Sequence, residues 1–124
     1  GGLVGYYYMK TSSKKAKGRK LQDLVRDTLL AEFSSLEEDD VKSAIMGESG
    51  EDIKLSPAAR KVIPYSFECK NQERLNVWAS LKQAEDNCIN GAPVLIFKRN
   101  RSKVYAAIEI ETFIKLIGEK NGQK

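Results

Sequence analysis

Apolar residues recur every three or four positions in two stretches of the chain. The first repeat predicts an amphipathic helix from about residue 18 to 34, with its apolar positions at Leu21, Leu24, Val25, Leu29 and Phe33. The second predicts a helix from about 75 to 90, which Asn90-Gly91 would end. We expect one side of this second helix to pack into the core, namely Leu75, Trp78, Leu81 and Ile89.

Runs rich in β-branched and aromatic residues predict five strands, at 41–46, 52–55, 62–70, 93–98 and 104–110. Ser56-Pro57 begins a short helical turn, and residues 111–117 form a last short helix. The order is one helix, three strands, a second helix, two strands and a third helix. This order predicts a single α/β domain with a central mixed five-stranded sheet flanked by helices.

The ends of the chain differ from its middle in composition. Residues 1–8, GGLVGYYY, are interpreted as a cloning remnant, and residues 9–17 as a basic N-terminal arm. We predict one domain over 18–118 and a polar tail over 119–124.

Composition excludes several classes of function. The 124 residues are 41% hydrophobic and 31% charged, typical of a soluble globular protein, and no apolar run suggests a membrane span. We therefore expect no membrane partner and a cytoplasmic location in a prokaryotic or phage-infected cell. The absence of histidine excludes imidazole metal sites and histidine-dependent triads. Cys69 and Cys88 form no zinc spacing and are interpreted as small buried hydrophobic residues.

Charge is unevenly distributed along a chain whose net charge is +4. Eight acidic residues and one base lie between Glu32 and Asp52. Two basic clusters flank this acidic centre, at Lys14, Lys15, Lys17, Arg19 and Lys20 and at Lys98, Arg99 and Arg101. Such a distribution suits a polyanion held over a metal site, so these residues are candidates for DNA contact. Ordinary solvated surface charge explains any single cluster equally well.

An acidic residue two positions before a lysine occurs three times, at Asp40, Asp52 and Glu68. Only Glu68 and Lys70 close a long apolar strand, where unpaired charges are costly. Residues two apart in a strand share a face, so Glu68 and Lys70 project together while Cys69 points to the core. Asp52 begins the neighbouring strand and can converge with Glu68. An ion pair at a strand end is the alternative interpretation, and by itself the pattern favours neither.

Two carboxylates at one sheet edge can hold Mg²⁺ or Mn²⁺, which prefer hard oxygen ligands. Such an ion activates water and neutralises charge on a phosphodiester, and Lys70 would orient the attacking water or offset developing negative charge. Without histidine, this combination favours phosphodiester hydrolysis.

Three segments, Gly47 to Asp52, Ser56 to Arg60 and Glu68 to Gln72, resemble the PD-(D/E)xK nuclease superfamily. The layout over about residues 17–117 is similar to small phage-encoded and archaeal-type Holliday junction resolvases. This resemblance implies a restriction-endonuclease-like αβββαβ core. It also implies that Asp52, Glu68 and the backbone carbonyl of Cys69 bind metal, and that Lys70 is catalytic.

The chain departs from the resolvase pattern in its first helix. Residues 17–22 resemble the resolvase motif, but Gln22 stands where those enzymes usually carry a metal-binding Glu. The missing charge could come from Glu48 or Glu51, between which the sequence does not choose. Gln72 is expected to support the site, whereas Gln83 is a weaker candidate for the same role.

The sequence thus predicts a Mg²⁺-dependent endodeoxyribonuclease, with Mn²⁺ able to substitute, that cuts four-way DNA junctions. Paired cuts in a two-fold symmetric junction imply a homodimer. One alternative is a nuclease of the same type that acts on flaps, ends or duplex DNA. The other is a DNA-binding module of the same fold without catalytic activity.

Overall fold

A computed structural model describes residues 2–45 and 47–122, with side chains from residue 13 onward. Helix α1 (Gly2–Glu32) is followed by the short strands β1 (Val41–Ser43) and β2 (Ile53–Leu55), helix α2 (Pro57–Val62) and strand β3 (Tyr65–Asn71). Helix α3 (Val77–Asp86), strands β4 (Ala92–Lys98) and β5 (Tyr105–Ala107), and helix α4 (Ile110–Lys120) complete the chain. The α/β class predicted from the sequence is confirmed. Helix α1 begins well before the predicted start at residue 18, so its backbone includes the segment interpreted as an arm.

The predicted five-stranded sheet is wrong: the strands form one sheet of two and one of three. β1 and β2 pair antiparallel, whereas β4 lies between a parallel β3 and an antiparallel β5. β2 lies beside β3, but the backbone hydrogen bond between them runs only from the Asp52 N–H to the Phe67 carbonyl, at 3.0 Å. The next N–H of β3, that of Cys69, donates to the Asp52 side chain at 2.7 Å instead of to a backbone carbonyl. The carboxylate therefore ends the ladder that would have joined the two sheets.

The core lies between α1 and the strands. Leu21 and Val25 of α1 pack with residues of both sheets, as a cluster with Val41, Ile53, Leu55, Ala59, Ile63, Phe67, Cys69 and Val94. Of the predicted apolar repeat, Leu21 and Val25 are buried and Leu29 and Phe33 pack against the core, whereas Leu24 is 48% exposed. Burying these side chains supplies most of the free energy that holds α1 across the sheet edge. None of the described helices is long and apolar enough to cross a membrane.

Helix α3 links β3 to β4 and begins at Asn76, whose side chain accepts a hydrogen bond from the Ala79 N–H at 3.0 Å. Its buried residues are Ser80 and Ala84, so the predicted packing side was wrong. Trp78 is 82% exposed. Small residues at 80 and 84 let the helix backbone approach β4 closely, and this turns the larger apolar side chains outward.

The turn from α3 into β4 requires a glycine at position 91. Gly91 has a φ of 69°, and a Cβ there would collide with the backbone carbonyl of Pro64. The Ala92 N–H donates to that same carbonyl at 3.1 Å, which starts the parallel pairing of β3 with β4. The close approach therefore fixes the register in which Glu68 lies opposite Leu95.

Candidate active site

Asp52 is held at the start of β2 by three hydrogen bonds. Its N–H donates to the Phe67 carbonyl at 3.0 Å, and its carbonyl accepts from the Ala44 N–H at 2.8 Å. Its Oδ2 accepts from the Cys69 N–H at 2.7 Å. Backbone and side chain are thus both fixed, and the carboxylate is directed toward the strand that carries Glu68. The convergence of Asp52 on the third strand follows from these contacts.

Glu68 is buried, with 3% of its surface exposed, in the middle of β3. Its Oε1 accepts from Asn87 Nδ2 at 3.2 Å, and its Oε2 lies 3.7 Å from Lys70 Nζ. Burial first, and then the nearby Asp52 carboxylate, raise the pKa of Glu68 to about 7 against the opposing effects of Asn87 and Lys70. Two carboxylates therefore share a confined space in which the protein alone does not compensate both negative charges.

Gln22 lies on α1 and faces the same space. Its side-chain oxygen is buried and has no hydrogen-bond partner among the described residues. A buried polar atom without a partner is costly and uncommon in a native protein. The unpartnered oxygen is therefore free to accept a hydrogen bond or to coordinate a metal ion in the space that Gln22 shares with the two carboxylates.

A cleft of about 1050 Å³ opens over these residues. Its walls contain Asp52, Glu68, Cys69, Lys70, Gln22 and Gln72, together with Gln83 of α3. The N-terminal part of α1 adds bases to the rim, at Lys14, Lys15 and Lys17. Nine of the residues predicted for the site therefore line this one cleft, and Gln83 lines it as well.

A second, smaller cleft of about 470 Å³ adjoins the first, because Lys17 and Asn71 line both. Its other polar lining residues are Lys20 of α1, Lys98 at the end of β4, and Asn100 and Arg101 of the turn that follows. No acidic residue is among the described residues that line it. The two basic clusters, 78 residues apart at Lys20 and Lys98 in sequence, therefore meet across one groove. Of the predicted DNA-contacting residues, Arg19 and Arg99 line neither cleft.

Arg101 has a φ of 61°, in the left-handed region that residues other than glycine rarely adopt. The turn around it is braced by the Arg99 N–H, which donates to Ser102 Oγ at 3.0 Å. The Asn100 N–H donates to Glu73 Oε2 at 2.5 Å, which ties the turn to the end of β3. Strain of this kind persists only where surrounding contacts enforce it, so Arg101 is held in place at the groove.

Neither Glu48 nor Glu51 supplies the charge that Gln22 lacks. Glu51 is 1% exposed and forms an ion pair with Arg60 at 2.7 Å, and Ser66 Oγ donates to it at 2.6 Å. Glu48 accepts from the Ile45 N–H at 2.9 Å and pairs with Lys54 at 3.5 Å. Both possibilities left open by the sequence were therefore wrong, because each carboxylate is occupied away from the cleft.

Cys69 divides its roles between backbone and side chain. Burial raises the pKa of its thiol, and the Asp52 and Glu68 carboxylates raise it further, so the sulfur stays protonated and packs in the core. This agrees with its interpretation as a buried hydrophobic residue. Cys69 also lines the cleft between its two charged neighbours.

Two asparagines of the site were missed in the sequence. Asn87 ends α3 and donates to Glu68, and Asn71 Nδ2 donates to the Lys17 carbonyl of α1 at 3.2 Å. Asn71 thereby ties the end of β3 to the helix that carries the bases. Asn71 lies within the segment Glu68 to Gln72 but had no role assigned to it, and no pattern marks Asn87, because both contacts depend on how α1 and α3 pack against β3.

Within the described part of the chain, no group of three or more His, Cys, Asp or Glu side chains could hold a metal ion. Three carboxylates line the cleft, and that of Glu73 accepts from the Asn100 N–H. Asp52 and Glu68 are the two that converge, so a further ligand beside them would be an amide or backbone oxygen. Comparison with family models, curated proteins and solved structures finds no match to this chain.

Proposed function

We propose that this chain is a divalent-metal-dependent endodeoxyribonuclease of the PD-(D/E)xK type, with a restriction-endonuclease-like core, and that it resolves four-way DNA junctions. The observation that carries the proposal is the convergence of Asp52 and Glu68 beside Lys70 in a cleft rimmed by lysines. A carboxylate with a raised pKa, such as Glu68, beside a second carboxylate and a cation in an open cleft is typical of a functional site.

The oxygen atoms that line the cleft are suitable ligands for Mg²⁺ or Mn²⁺. Both ions prefer hard oxygen ligands, which Asp52, Glu68 and the unpartnered oxygen of Gln22 provide. The Cys69 carbonyl is the fourth candidate ligand. A bound divalent ion supplies positive charge to the phosphodiester and lowers the pKa of water at the site.

The chain's own residues set the geometry for hydrolysis. Lys70 lies 3.7 Å from Glu68 and is partly exposed to the cleft, so its ammonium can stabilise negative charge that develops on the phosphate. Asn87 fixes one oxygen of Glu68, and the Cys69 N–H fixes one oxygen of Asp52. The other oxygen of Glu68 lies 3.7 Å from Lys70 Nζ, so this lysine and the carboxylate face the cleft together.

The two clefts define a path for the DNA backbone. From the carboxylates it passes Lys17 and Asn71 and reaches the basic turn at Lys98 and Arg101. Phosphates along this path would be neutralised at each step, which positions the strand without reading its sequence. Resolution of a junction needs two symmetric cuts, so the active form in this proposal is a homodimer.

Replacing Lys98 and Arg101 together by Ala should weaken DNA binding and reduce its salt dependence. Each phosphate contact contributes about −0.9 to the slope of log K against log salt concentration. Loss of two contacts should therefore make this slope less steep by roughly 2. Binding is measured by fluorescence anisotropy without divalent metal. The control is the double replacement of Lys42 and Lys61 by Ala, since both bases are exposed and line neither cleft. Equal slopes in both variants would contradict the proposed path.

Cleavage of matched labelled substrates tests the function. The wild-type chain is incubated with Mg²⁺ and a four-way junction, a flap or a linear duplex of the same sequence, and the Asp52→Asn variant controls for contaminating nuclease. We expect paired, symmetric cuts in the junction in excess of any other cleavage. A strong excess of cleavage on the linear duplex or the flap would exclude the resolvase assignment but keep the nuclease. Binding of DNA without cleavage of any substrate would favour the non-catalytic module.

A further inference from the structure

Glu73 is the third carboxylate of the larger cleft and lies two residues beyond the end of β3. It is exposed, and it forms no ion pair with any base in the described part of the chain. Its Oε2 accepts instead from the Asn100 N–H at 2.5 Å. A negative charge beside a path for DNA repels the phosphates of a bound strand. A compensating role is therefore expected of Glu73, and the hydrogen bond indicates one.

The turn formed by residues 99–102 has little to hold it from outside. Ser102 braces it internally, because its Oγ accepts from the Arg99 N–H at 3.0 Å and its own N–H donates to the Arg99 carbonyl at 3.2 Å. Among the described residues, the contact with Glu73 is the only hydrogen bond that joins these four residues to a distant part of the chain. Without it, the turn would be attached only through its two ends.

Glu73 extends the pairing of β3 with β4 by one contact. At the end of this pairing the Gln72 N–H donates to the Lys98 carbonyl at 3.1 Å. The next contact uses a side chain, because the Glu73 carboxylate accepts from Asn100 where a continuing strand would offer a backbone carbonyl. A hydrogen bond to an ionised acceptor is stronger than one between neutral groups. The turn is thus fixed relative to β3, the strand that carries Glu68.

The position of the turn decides where the bases of the smaller cleft lie. Asn100 and Arg101 line that cleft and Glu73 lines the larger one, so the hydrogen bond connects the walls of both. Arg101 follows Asn100 directly and has a φ of 61°. A residue other than glycine keeps such a conformation only where its surroundings enforce it. Glu73 therefore acts on the backbone immediately before the constrained arginine.

We propose that Glu73 is a positioning residue for DNA binding, which holds the basic turn at the groove so that Lys98 and Arg101 meet phosphates of the bound strand. This role rests on the proposed function, since it concerns the same DNA path. Charge alone predicts that loss of Glu73 tightens binding, because a repulsive group is removed. Positioning predicts that loss of its acceptor oxygen weakens binding. The two effects separate when the charge and the oxygen are removed independently.

Glu73→Gln and Glu73→Ala achieve this separation, because both lack the charge and only Gln keeps an oxygen that can accept from Asn100. DNA binding is measured by fluorescence anisotropy at several salt concentrations, without divalent metal. We expect Glu73→Gln to bind at least as tightly as wild type. Glu73→Ala should bind roughly five- to tenfold more weakly than Glu73→Gln near about 0.1 M salt, with a salt slope less steep by about 0.9, the contribution of one phosphate contact. The control pair, Glu85→Gln and Glu85→Ala, lies at an exposed position of α3 that lines neither cleft, and its members should bind alike.

Hydrogen exchange of the Asn100 amide, followed by NMR on the full chain, tests the contact without DNA. The amide should exchange faster in Glu73→Ala than in Glu73→Gln, and the comparison is free of charge effects because both variants are neutral at position 73. The Ala92 amide, which donates to Pro64 at the other end of β4, reports whether the fold is intact and should not change. Equal exchange of Asn100 in the two variants would overturn the proposal.

The double replacement of Lys98 and Arg101 by Ala distinguishes failure of this inference from failure of the DNA path. Weaker binding by that variant, together with equal affinity and salt slope in Glu73→Ala and Glu73→Gln, would keep the path and refute the role of Glu73. If the double replacement leaves binding unchanged, the path is refuted and the role of Glu73 with it. Weaker binding by both the double replacement and Glu73→Ala, with Glu73→Gln unimpaired, is the result that supports the proposal.

Discussion

Replacing Asp52 by Asn is expected to reduce Mg²⁺-dependent cleavage of a four-way junction by on the order of 10³-fold or more. The substitution removes one of the two negative charges available to a divalent ion. It preserves the shape of the side chain and an oxygen that can still accept from the Cys69 N–H, so the strand end should keep its structure. DNA affinity should stay the same or increase, because one negative charge is removed from the cleft.

Single-turnover rates and binding constants measured on the same preparations check this expectation. Asp86→Asn is the matched control, because Asp86 is exposed on α3 and pairs with Lys82 outside the cleft. Lys70→Ala should also lose most of its activity through the loss of charge stabilisation. Cleavage by Asp52→Asn within tenfold of wild type would remove Asp52 from the reaction, and wild-type rates in Lys70→Ala would remove the lysine.

Without metal, the protein is expected to lose stability as the pH rises from about 4.5 to 7 because of Glu68. The pKa of Glu68 is about 7 in the folded chain, against 4.5 for an ordinary Glu. In that interval the unfolded chain has released the proton that the folded chain retains, so a rise in pH favours unfolding. Above pH 7 the cost is complete, on the order of 3 kcal/mol. Glu68→Gln, which carries no charge, should therefore unfold at a higher temperature than wild type at pH 8.

Thermal unfolding of both proteins at several pH values measures this effect. The difference between them isolates Glu68 from carboxylates such as Asp40, whose pKa is lowered by its hydrogen bond with Ser56. Mg²⁺ or Mn²⁺ should raise the unfolding temperature of wild type at pH 8 and have less effect on Glu68→Gln. Glu85→Gln, an exposed replacement on α3, should behave as wild type. A difference between wild type and Glu68→Gln that does not change with pH would show that Glu68 is not the titrating group.

Two elements with strong local patterns were predicted correctly. The apolar repeat at Leu21 and Val25 identified the helix that closes the core, and the run before Glu68 identified the central strand. The alternation that turns Cys69 inward and places Glu68 with Lys70 also follows from strand geometry alone. These features depend on neighbours in sequence, which a single chain reveals.

Features that depend on packing between distant segments were not predicted. The predicted five-stranded sheet does not form, because the Asp52 side chain accepts a hydrogen bond from the Cys69 N–H that a backbone carbonyl would otherwise accept. The outward position of Trp78 follows from the choice of Ser80 and Ala84 as the contact residues of α3. The sequence allowed Glu51 as a metal ligand, but its carboxylate forms an ion pair with Arg60 and accepts a hydrogen bond from Ser66. Each of these outcomes depends on which segments pack against each other, and a local sequence pattern does not indicate that.

The pairing of β3 with β4 has a consequence for the spacing of contacts along a bound strand. Glu68 and Asn71 lie three residues apart, about 10 Å along β3. Asn71 is in register with Lys98, and the Gln72 N–H donates to the Lys98 carbonyl at 3.1 Å. Glu68 and the start of the basic turn at Lys98 are therefore parts of one pair of strands. If the chain cuts DNA as proposed, the distance from the reacting phosphate to the next phosphates held would be set by this pair of strands, and a change in that distance would require a shift in strand register.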